Sequence, residues 1–250
     1  MVIKKIENII INVFGNEEKL FGKICFTIDL LNKKALRTGK NLYLALSGGN
    51  TPGKLYEYIL QNYGQIINWE NIHFFWSDER CVDFDSSESN SGAAYRSFLS
   101  QLNIPKSNIH FPDCLENAGK SATYYENIIK SLLPAKNGLP VFDIIFLGLG
   151  EDGHTASIFP DQTNLLKSEK LVDVSVHPVS GQNRITFTPK LMNNAGNIFF
   201  LVMGEKKSGI VQKIIMKNNY NGNVYPVNLI KLLQGNIIWF LDTESAKNLV

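Results

Sequence analysis

Apolar runs alternate with amphipathic, helix-like stretches along the whole chain. The apolar runs predict strands at Ile6–Val13, Leu42–Leu46, Ile72–Trp76, Val141–Leu147, Leu171–Val176, Ile198–Met203 and Ile237–Leu241. The stretches between them predict helices at about Glu17–Arg37, Pro52–Tyr63, Ser91–Leu99, Ala118–Leu133 and Lys206–Met216, with a short one after Asp242. Several of the strands are almost continuously apolar, which is typical of a parallel sheet with helices on both faces.

This order of elements predicts an α/β fold made of βαβ units. Strands separated by helices of about 10–20 residues build a three-layer α/β/α sandwich around a mostly parallel, Rossmann-like sheet. No linker long enough to divide the chain is visible, so residues 1–250 are expected to form a single domain.

Composition and charge indicate that any recognition of anions depends on local groups of residues. The chain has 44% hydrophobic and 19% charged residues, which is ordinary for a globular protein. Its net charge of +2 gives no general field that would attract nucleic acid or an anionic membrane. There is no apolar run long enough to span a membrane and no signal-peptide pattern, so we expect a cytoplasmic protein.

The cysteines predict neither a disulfide framework nor a zinc site. Cys25, Cys81 and Cys114 are odd in number, widely spaced and outside any C-x-x-C pattern. We therefore expect reduced thiols.

Ligands of such sheets bind beyond the carboxyl ends of the strands, and the first informative strand end is the loop Ser47–Thr51. Gly48 and Gly49 would let several backbone N–H groups converge on one point. Thr51 is expected at the N-cap and Pro52 in the first turn of a helix whose N-terminus favours an anion. The loop predicts a phosphate cradle, with an unliganded glycine turn as the alternative. It lacks the GK[ST] ending of a P-loop.

The second strand end carries a run of charges, from Asp78 to Arg80, directly after an apolar strand. The Arg80 guanidinium could hold phosphate or carboxylate oxygens. The alternative is an ordinary solvated charge run at a strand exit.

The third strand end is the glycine-rich loop Gly148–Thr155. Asp152 lies two residues before His154, a spacing at which a carboxylate can orient an imidazole and stabilise its protonated form. The pair therefore predicts a general base. A loop histidine without a role is the alternative.

The same loop contains a literal G-x-G-x-x-G pattern, formed by Gly148, Gly150 and Gly153. A dinucleotide fingerprint is disfavoured because Glu151 and Asp152 would place negative charge where a pyrophosphate should sit. Pro160 interrupts the helix that should follow, and Asp173 falls inside the next predicted strand rather than at its end.

Together these loops resemble the 6-phosphogluconolactonase family, within a group that includes glucosamine-6-phosphate deaminase and ribose-5-phosphate isomerase. The strongest matches are Leu46–Pro52, Trp76–Val82, Ser89–Asn90 and Gly148–Pro160, with weaker ones at Arg184–Thr188, Gly204–Lys207 and Trp239–Asp242. Pro226–Asn228 departs from the family's usual pattern, which concerns the shape of one pocket wall.

The resemblance implies hydrolysis of 6-phospho-D-glucono-1,5-lactone, the second step of the oxidative pentose phosphate pathway, without metal or organic cofactor. It implies His154 as catalytic base and Asp152 as its orienting carboxylate. The substrate-binding residues are then expected to be Ser47, Gly48, Gly49, Asn50, Thr51, Arg80, Arg184 and Lys206. The expected partner is a small phosphorylated sugar lactone, not nucleic acid or a membrane, and the protein is expected to be a monomer or small homo-oligomer.

Two other functions stay open. A glucosamine-6-phosphate deaminase would carry an acidic residue soon after His154, but none occurs before Asp161. A non-catalytic sugar-phosphate sensor would be expected to have lost the Asp152–His154 pair and gained a basic DNA-binding segment, and no such segment stands out.

Overall fold

The computed structural model describes residues 2–6, 8–114, 117–216 and 225–249. The strands are β1 Val2–Ile6, β2 Ile9–Phe14, β3 Leu42–Leu46, β4 Ile72–Trp76, β5 Asp78–Arg80, β6 Ala135–Lys136, β7 Leu139–Pro140, β8 Ile144–Leu147, β9 Val172–Val176, β10 Asn183–Phe187, β11 Asn197–Val202 and β12 Asn236–Asp242. The helices are α1 Glu17–Arg37, α2 Asn50–Tyr63, α3 Asn90–Ser97, α4 Ala118–Leu132, α5 Thr163–Leu166, α6 Pro189–Met192 and α7 Ser208–Ile215. Short 3-10 turns occur at Leu99–Gln101, Lys106–Asn108, Glu205–Lys207 and Pro226–Leu229.

The central sheet has seven strands in the order β1-β2-β12-β11-β8-β3-β4. Only the β1–β2 pair is antiparallel, and every other neighbouring pair is parallel. The mostly parallel sheet predicted from the apolar runs is therefore confirmed. All four residues of β8 are buried, as expected for a strand covered on both faces.

Helices cover both faces of this sheet. Leu44 of β3 packs in one cluster with residues of α1 and α2. The next residue, Ala45, packs in a second cluster with residues of α4 and α7. Since successive side chains of a strand point to opposite faces, these two clusters are the two halves of a three-layer sandwich. The carboxyl ends of the parallel strands then share one edge.

A second sheet, of order β5-β10-β9, is antiparallel. The run Leu171–Val176 was predicted as one more strand of the parallel pattern, but β9 belongs to this smaller sheet. Strands β5 and β10 were not predicted. Phe187 N–H donates to Ser77 O at 2.8 Å, which joins the end of β10 to the end of β4 and brings the small sheet to the functional edge.

Two predicted elements differ in detail. The run Ile6–Val13 is divided into the hairpin β1–β2, and Glu7 lies outside the described residues. The short helix predicted after Asp242 is wrong. The Asp242 carboxylate accepts hydrogen bonds from Ser245 N–H and Gly204 N–H, so that segment forms turns that anchor it to the end of β11.

The expectation of three free thiols is also wrong. Cys81, directly after β5, forms a disulfide with Cys114, which precedes α4, while Cys25 is free and buried. The paired cysteines are 33 positions apart in the sequence and give no local signal, because it is the tertiary structure that brings them together. Burial raises the pKa of the Cys25 thiol to about 12. Among the described residues no helix is long and apolar enough to cross a membrane.

Candidate active site

A polar cavity of about 210 Å³ opens at the carboxyl edge of the parallel sheet. It is lined by Ser47, Gly48, Gly49, Asp78, Arg80, Asn90, Gly148, Leu149, Gly150, His154, Ala156, Arg184 and Lys207. All three strand ends singled out in the sequence therefore meet in one cavity.

The loop after β3 presents unpaired backbone donors. Gly49 has φ +103°, a conformation that favours glycine, and it is the N-cap of α2. The N-cap prediction for Thr51 is therefore wrong: helix α2 begins at Asn50, and Thr51 lies within its first turn. Across the described part of the chain, the N–H groups from Gly48 to Thr51 have no hydrogen-bond acceptor. They form a concave set of donors at a helix N-terminus, which suits an anion.

This loop is held in place from two sides. The buried Tyr56 hydroxyl donates to Ser47 O at 2.5 Å, and Ser47 N–H donates to the Tyr56 oxygen at 3.2 Å. A Cβ at Gly48 would lie 1.8 Å from Asn90 Oδ1, so only glycine lets the loop approach Asn90 this closely. Burial raises the pKa of Tyr56 above its ordinary range, which keeps the hydroxyl protonated as a donor.

Two arginines face each other across the small sheet. The β5–β10 register pairs Arg184 directly with Arg80, and both line the cavity. The Nε atoms of both are buried without a hydrogen-bond partner among the described residues. Burial, and then the nearby Arg80 charge, lower the pKa of Arg184, while the charges of Asp78, Glu88 and Glu79 act in the opposite direction. Because like charges placed directly opposite repel, this pair creates a local demand for an anion.

The buried carboxylate of Glu79 fixes the strand that carries Arg80. It accepts hydrogen bonds from the N–H groups of Arg80, Asn90 and Ser91, at 2.8, 2.8 and 2.7 Å. Burial raises the pKa of Glu79, against the opposing effect of these bonds. The carboxylate thus ties β5 to the first turn of α3, where Asn90 also lines the cavity.

His154 and Asp152 form the predicted pair. His154 Nδ1 lies 2.6 Å from Asp152 Oδ1, and the His154 N–H donates to the same oxygen at 3.1 Å. Burial opposes ionisation of Asp152, but the hydrogen bonds and charge of His154 outweigh it, so the pKa of Asp152 is lowered. In the neutral imidazole a proton on Nδ1 therefore faces the carboxylate, and Nε2 keeps a lone pair that can accept a proton.

Two glycines of this loop allow close packing. A Cβ at Gly150 would lie 2.1 Å from His154 Nδ1 and 2.4 Å from Asp152 Oδ1. Gly153 has φ +87°, and a Cβ there would lie 2.3 Å from the Tyr225 ring. Within the glycine pattern that resembles a dinucleotide fingerprint, Gly150 thus gives room to His154 and Asp152, and Gly153 gives room to Tyr225.

The structure brings most of the predicted residues together, though not all. Asp152 lies behind His154 rather than in the cavity wall. Asn50 lines a neighbouring cavity of about 360 Å³, which shares Arg80 and Asn90 with the first. Thr51 and Lys206 line neither cavity, and Lys206 is exposed. Pro226–Leu229 forms a 3-10 turn that does not line the cavity either.

Among the lining residues with a charged or amide side chain, sequence reasoning missed three: Lys207, Asp78 and Asn90. Burial lowers the pKa of Lys207, while the charges of Glu151 and Asp152 act in the opposite direction. Asp78, Asn90 and Lys207 all lie in segments that carry the family resemblance, and that was the available signal. In the part of the chain that the structure describes, no group of three or more His, Cys, Asp and Glu side chains could hold a metal ion.

Comparisons with known proteins find one family over most of the chain. A family model described as glucosamine-6-phosphate isomerases/6-phosphogluconolactonase matches residues 15–239. The 6-phosphogluconolactonase of Synechocystis sp. is 37% identical over 241 residues, which are 96% of this chain and 98% of that protein. A solved 6-phosphogluconolactonase from Trypanosoma brucei has a TM-score of 0.84 at 27% identity, covering 96% of this chain and 98% of that one.

A solved monomeric glucosamine-6-phosphate deaminase has a TM-score of 0.78 at 19% identity, covering 95% of this chain and 99% of that one. At that identity the likeness concerns the fold alone. The family model spans all three loops of the cavity, and the Synechocystis relative matches 96% of the chain. The chain therefore belongs to the glucosamine-6-phosphate isomerase/6-phosphogluconolactonase family.

Proposed function

We propose that this cavity hydrolyses 6-phospho-D-glucono-1,5-lactone to 6-phospho-D-gluconate, with His154 as general base. The observation that carries the proposal is that a carboxylate-oriented imidazole and an arginine pair line one cavity. One end can activate water, and the other can hold a phosphate group that does not react.

In the first step, His154 Nε2 takes a proton from a water molecule as the water oxygen bonds to the lactone carbonyl carbon. Asp152 keeps the ring oriented and stabilises the imidazolium that forms. A positioned general base of this kind contributes about 10²–10⁴ in rate.

In the second step, the tetrahedral intermediate collapses and the bond from the former carbonyl carbon to the ring oxygen breaks. The imidazolium of His154 returns its proton to that departing oxygen, which becomes the hydroxyl of the open-chain acid. One water is consumed and the base is regenerated, so no cofactor is required. The N–H groups of Gly150 and Gly153 already donate to His154 O and Gly150 O, which makes them poor candidates for stabilising the oxyanion.

We assign the phosphate to the free N–H groups of Gly48 and Gly49 together with Arg80, Arg184 and Lys207. A dianion there would relieve the repulsion between the two arginines. Binding this remote group would hold the lactone carbonyl near His154, which converts affinity into orientation. Because such a charged metabolite does not cross membranes unaided, we also propose that the enzyme acts in the cytoplasm. We propose further that it is a monomer or small homo-oligomer.

The test couples the protein to glucose-6-phosphate dehydrogenase and follows lactone disappearance above the spontaneous rate. His154→Ala should lose most of the turnover and keep nearly normal affinity for 6-phosphogluconate. Arg80→Ala should mainly raise KM. Near-normal kcat in the His154→Ala variant would show that the assigned base is wrong, and ammonia release from glucosamine 6-phosphate would instead indicate a deaminase.

A further inference from the structure

One buried ring contacts both ends of the proposed site. Phe159 is 1% exposed, and its ring centroid lies 4.8 Å from that of His154, at an interplanar angle of 48°. The Arg184 guanidinium carbon lies 5.7 Å from the centroid of the same ring. The general base and one of the phosphate-binding arginines therefore rest on a single side chain.

A tight turn between Thr155 and Ile158 places this ring under His154. Ile158 N–H donates to Thr155 O at 3.0 Å, and Ala156 has φ +48°, a conformation that costs a non-glycine residue about 1 kcal/mol or more. The turn reverses the chain, so Phe159 lies against the imidazole of His154, which precedes it by five residues.

The turn is fastened to the sheet that carries the arginines. Ser157 Oγ donates to Asp78 Oδ2 at 2.7 Å, and Ser157 N–H donates to Thr186 Oγ1 at 3.2 Å. Arg184 Nη1 donates to Ser157 Oγ at 3.4 Å. A strained backbone conformation of this kind persists where the surrounding structure fixes it. Here the hydrogen bonds of Ser157 link the His154 loop to β5 and β10.

We propose that Phe159 is a positioning residue that sets the placement of the His154 imidazole relative to the Arg184 guanidinium. This inference rests on the proposed function, since it assumes that His154 acts on the lactone and Arg184 on the phosphate. Phe159 itself does not line the cavity.

The physical reason is the rigidity and charge distribution of the ring. A phenyl group has two torsions, is held by close packing, and offers one flat face on which a planar imidazole or guanidinium can rest. The negative face attracts the guanidinium, and it also favours the imidazolium that forms during turnover. An aliphatic side chain of similar volume fills the space but leaves both planar groups free to tilt.

The test compares Phe159→Leu with Phe142→Leu. Phe142 is also fully buried, and its ring packs against Phe75 and Phe187, which do not line the cavity. Phe159→Leu should lower kcat at least tenfold and raise KM for the lactone at least threefold. Phe159→Tyr, which keeps the ring, should restore both constants to within about threefold, and Phe142→Leu should change each by less than twofold.

Thermal melting and near-ultraviolet circular dichroism check that each variant is folded. If Phe159→Leu is not folded, Phe159→Met serves as the second variant without a ring. Activity of a folded ringless variant within twofold of wild type would overturn the inference. So would an equal loss in Phe142→Leu, or no recovery in a folded Phe159→Tyr variant. His154→Ala in the same assay separates the two proposals, because its full activity would contradict the proposed function whatever the Phe159 variants do.

Discussion

Arg184 lies directly opposite Arg80 in the register of β5 and β10, and both guanidinium groups line the cavity. Such a pair favours a bound anion, although the charges of Asp78, Glu88 and Glu79 offset part of the repulsion. Arg184→Met should therefore raise KM about tenfold or more, since a hydrogen bond to a charged group contributes about 1.5–3 kcal/mol.

The measurement is thermal unfolding with and without inorganic phosphate, beside steady-state kinetics. Phosphate should stabilise the wild type more than Arg184→Met. Equal stabilisation of the two proteins would contradict the assignment of Arg184 to the phosphate.

The adjacent residues Lys206 and Lys207 differ in their position relative to the cavity. Lys207 lines the cavity, whereas Lys206 is exposed and does not. Lys207→Met should raise KM severalfold with little change in kcat, because a binding charge is lost and the base is untouched. Lys206→Met is the matched control and should stay within twofold of wild type; a larger effect from this variant would restore the sequence-based choice.

These two lysines illustrate what the sequence could not supply. Their identical side chains and adjacent positions predict nothing about which one faces the cavity, because that depends on the 3-10 turn Glu205–Lys207 leading into α7. The pairing of Asp152 with His154, by contrast, was predictable, since residues two positions apart in one loop are always neighbours.

The difference between local patterns and long-range contacts also explains which parts of the fold could be predicted. The parallel core was predictable because its strands are continuous apolar runs. Strand β5, Asp78–Arg80, consists of three charged residues and looks like a loop. It forms a strand only because Arg184, Ile185 and Thr186 of β10 pair with it. The juxtaposition of the two arginines follows from that long-range pairing.

Gly150 should tolerate no side chain. Gly150→Ala would place a methyl 2.1 Å from His154 Nδ1, so the ring must move and kcat should fall about 10²-fold, the scale expected for misplacement by about 1 Å. Affinity for 6-phosphogluconate, measured by calorimetry, should change little. Gly209→Ala, in α7 with nothing within 4 Å of the new Cβ, is the control and should retain full activity. Similar kcat values for the two variants would mean that the close packing around His154 is unimportant.

The disulfide should contribute to stability. Cys81 and Cys114 close a loop over a sequence separation of 33, for which chain entropy predicts about 2–4 kcal/mol. Urea unfolding of the wild type with dithiothreitol should therefore show that loss, and the Cys81→Ala, Cys114→Ala double variant should show it without reductant. Dithiothreitol should not affect the double variant. A wild type indifferent to reductant would indicate that the pair is not bonded in solution.

Acid sensitivity should arise partly from a histidine pair far from the cavity. His73 Nδ1 lies 3.0 Å from His110 Nε2, and the His110 ring stacks on Phe75 with centroids 4.4 Å apart. Burial, and then the nearby His73, lower the pKa of His110 from 6.5 to about 4. Burial also lowers the pKa of His73.

Between pH 6.5 and about 4 the unfolded chain thus binds a proton at His110 that the folded chain does not, and the free energy of unfolding falls as pH falls through that window. The loss should reach at most about 3 kcal/mol, and less where solvent screens the partly exposed ring. His110→Phe keeps an aromatic ring against Phe75 and removes the proton site. Its free energy of unfolding should fall less than that of the wild type across this range, whereas carboxylates such as Asp152 affect both proteins equally. Urea titrations at several pH values measure the difference, and parallel curves would show that His110 is protonated equally in the folded and unfolded chains.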